Sequence, residues 1–593
     1  MSASEFPPQG HSQQPTQHRN ARHPDSAFLK SVGFNPAAAE RSAGKPTVAS
    51  GTTYYVSARA GNDANAGTSP AAPWKTLTKA SSVQLRRGDA VLLARGDTWR
   101  GQTLWPKGSG TAEDPIHISA YGQGPRPHIA PGIGKRNYAI HLVNNSGYKI
   151  TDLELSHTYG GIVTYSHGMY GHRYLWIQNV FFHDITGKDT RFNTPVRTND
   201  PDWWKCGRCY PELDLKFGTG VSLAGKGDGR RTILSDVTIK DSVFLRTDSG
   251  VEMTPSGEVN HGMWRNVNIS NSKFTKNYRA NGIGLMYVTG GTTSHVTVDR
   301  AGYQRGMDWG VAALSMVGSR NYTVRNSEFR NTVRATTDIP DGHGFDFESD
   351  NRHITLRDSY IHGNDGLAIL FNGNNRIWPG QQSDLVVENN LIENNNRTRW
   401  KGNKVFNANF VPGWRADSAG VVRNNTIRLL NNDQAFDTAP VIFAPNNRVY
   451  NAAGDLVFSG PKDTTATDDP AFTYDGPPGA QRPWRTVNGS ACFWDRSHES
   501  AMKGAAYVAR FVGRQAVLYA PVGPHHGVAA VSVDGGKEVS IDTYSSHAHC
   551  SRPIFTTRKL TNGPHTIRVR VTGHKNEASS RATIGADALA FAR

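Results

Sequence analysis

One eight-residue segment recurs along the chain and decides its fold. It reads Val237-Thr-Ile-Lys-Asp-Ser-Val-Phe244, and related copies occupy Val267–Phe274, Tyr322–Phe329, Ile354–Ile361 and Leu385–Ile392. The starts of these copies differ by 30, 55, 32 and 31 residues. We interpret the interval of 55 as two turns, with Val296–Tyr303 as a degraded copy between them. Apolar and polar residues alternate within each copy, which predicts short strands with one buried face.

The fifth position of the repeat is a column of Asn and Asp. Its members, including weaker copies, are Asp152, Asn179, Asp241, Asn271, Asn326, Asp358, Asn389 and Asn424. Both residue types tolerate left-handed backbone and hydrogen-bond their own turn, so the column predicts a sharp bend after each strand. Arg300 of the degraded copy breaks the column.

A second segment alternates with the first and begins at glycine. Its copies start at Gly220, Gly250, Gly282, Gly310, Gly344 and Gly366. Each repeat therefore carries at least two strands and two bends. One such unit cannot close a core, but stacked parallel units can, with coils about 4.8 Å apart. The sequence predicts an all-β protein built on a parallel β-helix.

The opening of the repeat region supports this interpretation. Tyr54–Ser69, Pro73–Leu77 and Arg87–Leu93 resemble the start of right-handed parallel β-helix enzymes that act on polysaccharides. In that family a short helix caps the first coil, and Leu77 and Ala80 suit such a cap. The resemblance covers roughly residues 51–460 and implies the fold. Hydrolases, lyases, epimerases and adhesins share this fold, so it does not choose the activity.

Length and composition set the outer limits. The chain has 593 residues, a formal net charge of +16 and a pI near 9.6. It has no apolar run long enough to span a membrane and no heptads. The positive charge favours an anionic partner. Zinc-finger and RNA-binding signatures are absent, so we do not expect a nucleic acid. We expect a polysaccharide instead, and an acidic polysaccharide would suit the charge. The lone Cys206-x-x-Cys209 supplies only two of four zinc ligands.

The ends of the chain differ from the repeat. Residues 1–50 are polar and predict disorder, and they lack a signal peptide although the resemblance implies a secreted monomer. We predict a linker at 461–480 and a β-sandwich at 481–593, where longer alternating strands resemble jelly-roll carbohydrate-binding modules. Trp484, Trp494 and Tyr519 could stack on sugars there, although core positions are the better interpretation.

The strand after Gly344 is the strongest candidate for chemistry. If Phe345 and Phe347 point inward, Asp346 and Glu348 project outward, about 6.6 Å apart at Cα. Glycosidases cleave glycosidic bonds with paired carboxyl groups, which lie farther apart in inverting enzymes than in retaining ones. A separation of about 6.6 Å suits an inverting enzyme. The position two after the glycine reads Ser222, Glu252, Gly284, Ala312, Asp346 and Ala368, so Asp346 departs from a mostly small column. The resemblance to β-helix glycosidases, in which acids on consecutive coils act as acid and as base or nucleophile, implies that Asp346 is the base or nucleophile and Glu348 or Asp365 the acid. Asp308 is a further catalytic candidate.

Other residues are candidates for binding. Glu252, three coils from Asp346, could contact another part of a substrate, and His343 lies beside the acidic run. Trp203 and Trp204 lie in an interruption of the repeat and could form a sugar platform. Arg325 and Arg357 occupy one column on consecutive coils and could hold a uronate carboxylate.

The candidates support three functions. We predict a glycoside hydrolase that needs no cofactor, with calcium as an alternative occupant of the acidic run. A polysaccharide lyase would instead use Arg325 and Arg357 to neutralise an acid group. A non-catalytic glycan-binding adhesin is the third possibility.

Overall fold

A computed structural model describes residues 50–593 with gaps. The gaps are 135–136, 167, 188–217, 304–310, 335–340, 374–379, 381, 399–407, 413–417, 431–433, 437–441, 444–446, 451, 454–455, 460–462, 467–471, 489–495 and 593. The proposed disorder of residues 1–50 therefore lies outside the described residues, apart from Ser50. Asp308, Trp203, Trp204, Trp494 and the Cys206–Cys209 pair lie outside them too.

Three long sheets run side by side through the repeat region, and their strands are parallel with one exception. The first sheet contains Thr53–Val56, Ala90–Ala94, Ile116–Tyr121, Tyr148–Thr151, His172–Gln178, Leu234–Lys240, Trp264–Ser270, Val288–Ser294, Arg320–Arg325, Arg352–Arg357, Gln382–Glu388, Ser418–Arg423 and Ile442–Phe443. The second contains Thr98–Arg100, His128–Ala130, Glu154–Thr158, Phe181–Ile185, Val243–Thr247, Lys273–Thr275, Thr297–Asp299, Glu328–Arg330, Tyr360–His362, Leu391–Glu393, Thr426–Arg428, Arg448–Tyr450 and the antiparallel Leu456–Ser459.

The third sheet carries the glycine-initiated segments. It contains Tyr138–Val143, Gly160–Ser166, Thr219–Asp228, Ser249–Glu258, Ile283–Met286, Ala312–Val317, His343–Ser349, Ile369–Phe371, Ala408–Pro412 and Gln434–Phe436. Between Ile116 and Phe436 each coil thus contributes one strand to each sheet, which is the architecture of a parallel β-helix. A two-stranded pair, Gln84–Leu85 with Lys107–Gly108, lies outside these sheets. The predicted fold class is confirmed.

Left-handed residues form the corners, as the Asn and Asp column predicted. Asp152, Asp241 and Asn326 have φ of 62°, 51° and 48°. Val296–Tyr303 is wrong as a copy of the repeat, because Thr297–Asp299 belongs to the second sheet. The strand between Trp264–Ser270 and Arg320–Arg325 is Val288–Ser294, and His295 takes the corner with φ 53°.

Arg300 therefore does not break the column but belongs to another one. It lies in a second set of left-handed residues, within or directly after the strands of the second sheet: Asp184 (φ 52°), Arg246 (53°), Lys276 (55°), Arg300 (63°) and Asn331 (55°). The backbone is alike at all five positions although the side chains differ. Stacked coils enforce this conformation even on residues that rarely adopt it.

A continuous apolar core fills the β-helix. Phe182, Phe244 and Phe274 stack in register, with ring centroids 4.5 Å apart at each step. The glycines of the third sheet make room for them, because a Cβ on Gly220 would lie 2.5 Å from the Phe244 ring. Buried asparagines form a second ladder, in which Asn390 donates to Asn425 over 3.0 Å and Asn425 to Asn447 over 2.9 Å.

The predicted helical cap is confirmed. The helix Leu77–Ser82 buries Leu77 and Ala80 completely against the first coils. Thr76 caps its N-terminus, since its hydroxyl accepts a hydrogen bond from the Lys79 amide. The helix covers an apolar end that would otherwise face water.

Antiparallel sheets follow the β-helix and form a second core. They contain Asp463–Ala466, Ala588–Ala592, Gln515–Val522 and His549–Thr556; Phe472–Asp475, Ala506–Gly513, Gly563–Val571, Val528–Val533 and Val539–Asp542; and Arg485–Asn488, Arg496–Ser500 and Ile584–Ala586. The predicted linker 461–480 is wrong in part. Its segments Asp463–Ala466 and Phe472–Asp475 are strands of this sandwich, because their alternating residues pair with later strands.

Two further features of the described residues bear on function. Tyr519 is 6% exposed and Trp484 packs against the sandwich core, so both serve packing, as the sequence favoured. None of the described helices is long and apolar enough to cross a membrane.

Candidate active site

The strand His343–Ser349 places two carboxyl groups on the outer face of the third sheet. Phe345 and Phe347 are fully buried in the core, so the intervening Asp346 and the following Glu348 point the other way, as alternation predicted. Asp346 is nevertheless only 7% exposed. The expectation that it projects freely into solvent is therefore wrong.

A β-bulge sets the position of Glu348. Met316 pairs with Phe347 and Val317 with Ser349, which places Glu348 in the bulge between these two pairs. The Asn372 side-chain amide donates to Glu348 Oε1 over 2.8 Å, and the Asn372 backbone amide donates to the Phe347 carbonyl over 2.9 Å. The next coil thus holds the Glu348 carboxyl beside Asp346.

The electrostatics favour a protonated Asp346. Burial raises the pKa of Asp346 well above its usual range, and the charge and hydrogen bond of Glu348 raise it further. The charge of Asp341 also raises the pKa of Asp346. The pair therefore shares a proton, with Asp346 as the group that can donate it.

The register of the third sheet defines the strip beside Asp346. The column runs Ser222, Glu252, Gly284, Ser315, Asp346 and Leu370. The expected entries Ala312 and Ala368 are wrong, because Ala312 pairs with His343 and the glycine does not open each strand at the same offset. Glu252 does lie three coils from Asp346. Gly284 and Ser315 separate them, which leaves a strip of small side chains between two acids.

Glu252 leans along this strip. A Cβ built on Gly284 would lie 2.5 Å from Glu252 Oε1, so the carboxyl covers the next coil. Burial raises the pKa of Glu252 to about 7, although the Ser249 hydroxyl, which donates to Oε2 over 3.0 Å, opposes the shift. Glu252 can therefore exchange a proton near neutral pH.

We expect Glu252 to make stability depend on pH. Its pKa is 4.5 unperturbed and about 7 when folded, so the folded state holds the extra proton between these values. The free energy of unfolding should then fall as pH rises from about 4.5 to about 7. In Glu252→Gln the decline in unfolding free energy should be smaller by about 2 kcal/mol. This figure is lower than the pKa shift alone would give, because the side chain is partly exposed to solvent. Urea unfolding at pH 4.5 and 8 measures it, with the exposed Glu258→Gln as control. Identical pH dependence in Glu252→Gln and wild type would contradict the assignment.

His343 is not placed to bind substrate. Its side chain is fully buried, because it shares the inward parity of Phe345 and Phe347. The Leu367 amide donates to Nδ1 over 3.0 Å, and Nε2 donates to Asp341 Oδ1 over 3.0 Å. Both ring nitrogens are occupied, so His343 fixes the start of the strand and the prediction is corrected.

Asp365 does not pair with Asp346. The residue opposite Asp346 on the next coil is Leu370, while Asp365 lies in the bend before that strand. Its carboxylate accepts from the Arg334 amide over 3.2 Å and lies 3.6 Å from Arg397 Nε. The structure gives Asp365 the role of stabilising a buried bend.

Arg325 and Arg357 do occupy one column on consecutive coils. They lie on the first sheet, however, whereas the acids lie on the third. The sequence placed the arginines on the first repeated segment and the acids on the glycine-initiated segment, and these two segments do form different sheets.

Sequence reasoning missed Asn372 and Ser315. Asn372 follows the strand Ile369–Phe371, whose register against Phe345–Phe347 would have placed it beside Glu348. Ser315 was missed because the sequence alignment assumed that each glycine lies at the same position relative to the residues that pair between coils. The catalytic candidate Asp308 and the binding candidates Trp203 and Trp204 lie outside the described residues.

Comparisons with known proteins give a fold and a partial sequence match. No protein-family model matches the chain. Over 234 residues the chain is 33% identical to a lacto-N-biosidase of Bifidobacterium longum subsp. longum, which covers 37% of this chain and 14% of that protein. The chain thus spans only a small part of that relative's length.

A structural match covers more of the chain. The crystal structure of a GH136 lacto-N-biosidase from Eubacterium ramulus superposes with a TM-score of 0.51 at 16% identity, over 67% of this chain and 68% of that one. A selenomethionine derivative of the same protein gives the same values. At this identity the match shows the fold, and it agrees with the β-helix described above.

Proposed function

We propose that the protein is a glycoside hydrolase in which Asp346 and Glu348 form the catalytic pair. The observation that carries this proposal is the hydrogen bond between these carboxyl groups on the outer face of the β-helix, with the pKa of Asp346 raised by burial. A neutral acid beside a second carboxyl group is the arrangement that glycosidic cleavage requires. The partial match to a lacto-N-biosidase supports an oligosaccharide substrate that contains a lacto-N-bioside unit.

The chemistry follows from the two protonation states. Asp346 donates its proton to the oxygen of the leaving sugar as the glycosidic bond breaks. The Glu348 carboxylate attacks the anomeric carbon and forms a glycosyl ester, and Asp346, now ionised, takes a proton from the water that hydrolyses this ester. Gly284 and Ser315 leave space for a sugar ring along the strip toward Glu252.

The close contact of the pair predicts the stereochemical outcome. Inverting enzymes need about 6.5–9.5 Å between carboxyl groups so that a water fits, and retaining enzymes need about 5–5.5 Å. Asp346 and Glu348 hydrogen-bond each other, which favours retention of configuration. This proposal replaces the inverting spacing that the Cα distance favoured, and it assigns the acid to Asp346 instead of Glu348 or Asp365.

The experiment is a glycan panel that includes lacto-N-biosides, with the first product followed by proton NMR. We expect release of a sugar with the anomeric configuration of the substrate. A wild-type protein inert on the whole panel would overturn the proposal. Product absorbance from an unsaturated uronate would favour the lyase alternative, in which Arg325 and Arg357 of the first sheet would hold the acid group.

Asn372 is proposed as a positioning residue, and its removal gives a separate prediction. In Asn372→Ala the Glu348 carboxyl loses its donor, and kcat should fall about 10- to 100-fold, because hydrogen bonds to charged groups are worth about 1.5–3 kcal/mol. KM should stay within about twofold, since Asn372 holds the acid rather than the sugar. Steady-state kinetics measure both. The control is Asn268→Ala, an outward asparagine of the first sheet, which should behave as wild type; an equal fall of kcat in both variants would contradict the role.

The remaining expectations stay predictions. The proposed reaction needs no cofactor, and calcium remains the alternative occupant of the acidic run. An acidic substrate is consistent with the net charge of +16. We also expect a secreted monomer, which gel filtration and fractionation of cells and medium would test.

A further inference from the structure

Two histidines and one glutamate meet on the outer face of the second sheet. His128, Glu154 and His183 come from three consecutive coils, in the strands His128–Ala130, Glu154–Thr158 and Phe181–Ile185. One donor atom of each lies within 4.8 Å of the others, and all three side chains are half-buried. The catalytic pair lies on the third sheet, so the proposed reaction does not use this cluster.

We propose that His128, Glu154 and His183 bind a divalent transition-metal ion of the Zn²⁺ type. The donor spacing fits such an ion. Neighbouring ligand atoms around a tetrahedral zinc, with bonds of about 2.0–2.1 Å, lie about 3.3 Å apart. Glu154 Oε1 lies 3.0 Å from His183 Nε2 and 3.7 Å from His128 Nδ1, on either side of that value. Partial exposure leaves the fourth position to water.

The second ring nitrogen of each histidine is already occupied. His183 Nδ1 lies 2.8 Å from Asp184 Oδ2, and Arg246 holds that carboxylate with two hydrogen bonds of 2.5 and 2.7 Å. Asp184 therefore keeps the proton on Nδ1 and leaves the Nε2 lone pair for a metal, the arrangement usual behind zinc-bound histidines. His128 Nε2 lies 2.6 Å from Ser156 Oγ, which leaves Nδ1 facing Glu154.

The ligand set selects the metal and its effect. Imidazole with one carboxylate suits zinc and its neighbours, whereas calcium and magnesium prefer oxygen ligands alone. Because each ligand comes from a different coil, the ion would link three coils near the N-terminal end of the β-helix. Binding to the folded state alone raises the unfolding temperature.

The test is calorimetric titration of the EDTA-treated full chain with ZnCl₂, and separately with CaCl₂. We expect zinc binding in wild type that is at least about tenfold weaker in His183→Ala and in His128→Ala, because loss of a ligand should cost no less than loss of a residue that only supports one. Zinc should raise the melting temperature of wild type but not of these variants. Calcium should do neither.

A matched control comes from the same sheet. His362 Nε2 lies 2.9 Å from Glu328 Oε1, a histidine–carboxylate pair outside the cluster of His128, Glu154 and His183, and His362→Ala should bind zinc as wild type does. If His183→Ala fails to fold, the nearly isosteric Glu154→Gln should show the same loss. Absence of saturable zinc binding in wild type, or unchanged affinity in the ligand variants, would overturn the proposal.

Discussion

The kcat of Asp346→Asn should fall about 100- to 10,000-fold, because the substitution removes the proton donor. Asparagine has nearly the shape of a neutral aspartic acid. Since burial and Glu348 keep the pKa of Asp346 raised, the wild-type side chain is already uncharged over a wide pH range. We therefore expect the free energy of unfolding to change by less than about 0.5 kcal/mol. Steady-state kinetics and urea unfolding on the same samples measure both quantities.

The control for this variant is Asp365→Asn. Asp365 is also buried and acidic, but it accepts from the Arg334 amide and lies beside Arg397 in a bend. We expect Asp365→Asn to lower stability and to leave kcat within about threefold. Turnover above a tenth of wild type in Asp346→Asn would remove Asp346 from the reaction.

Phe244→Ala should destabilise the β-helix by about 3–5 kcal/mol. The ring is fully buried and stacks on Phe182 and Phe274 at 4.5 Å, with interplanar angles of 3° and 7°. Its removal leaves a cavity that the stacked coils cannot close, since the backbone of each coil is hydrogen-bonded to its neighbours. The urea transition of the β-helix measures the loss.

Leu245→Ala is the matched control, because Leu245 follows Phe244 in the same strand and is only half-buried on the outer face. We expect it to cost less than about 1 kcal/mol. Equal losses in the two variants would mean that the phenylalanine stack adds nothing beyond generic side-chain contact.

The repeat made much of the fold predictable. Coils that stack in register place equivalent residues in equivalent surroundings, so an eight-residue pattern reports the strands and their inward faces. The left-handed corners at Asp152, Asp241 and Asn326 follow from the same logic. The sequence showed that glycines open the second segment but not why glycine is needed there. The reason is steric, because a Cβ at Gly220 would collide with an aromatic ring from the second sheet.

The candidate site was predictable only in part. Alternation correctly placed Phe345 and Phe347 inside and Asp346 outside. It could not reveal that Asp346 is enclosed, that Glu348 sits on a bulge held by Asn372, or that Ser315 and Leu370 flank Asp346 in the ladder. These features depend on the register between coils, and the residues that set that register lie 24 to 31 positions away.

The sequence by itself determined the strands, the corners and which side of each strand meets the core, because these depend on residues two to five positions apart. Only the tertiary structure decided which sheet each strand joins, and therefore which distant side chains share a face. In this way His128 was brought to Glu154 and His183. The physical reason is that coil lengths vary, so contact between coils is fixed by stacking and not by a constant spacing along the chain.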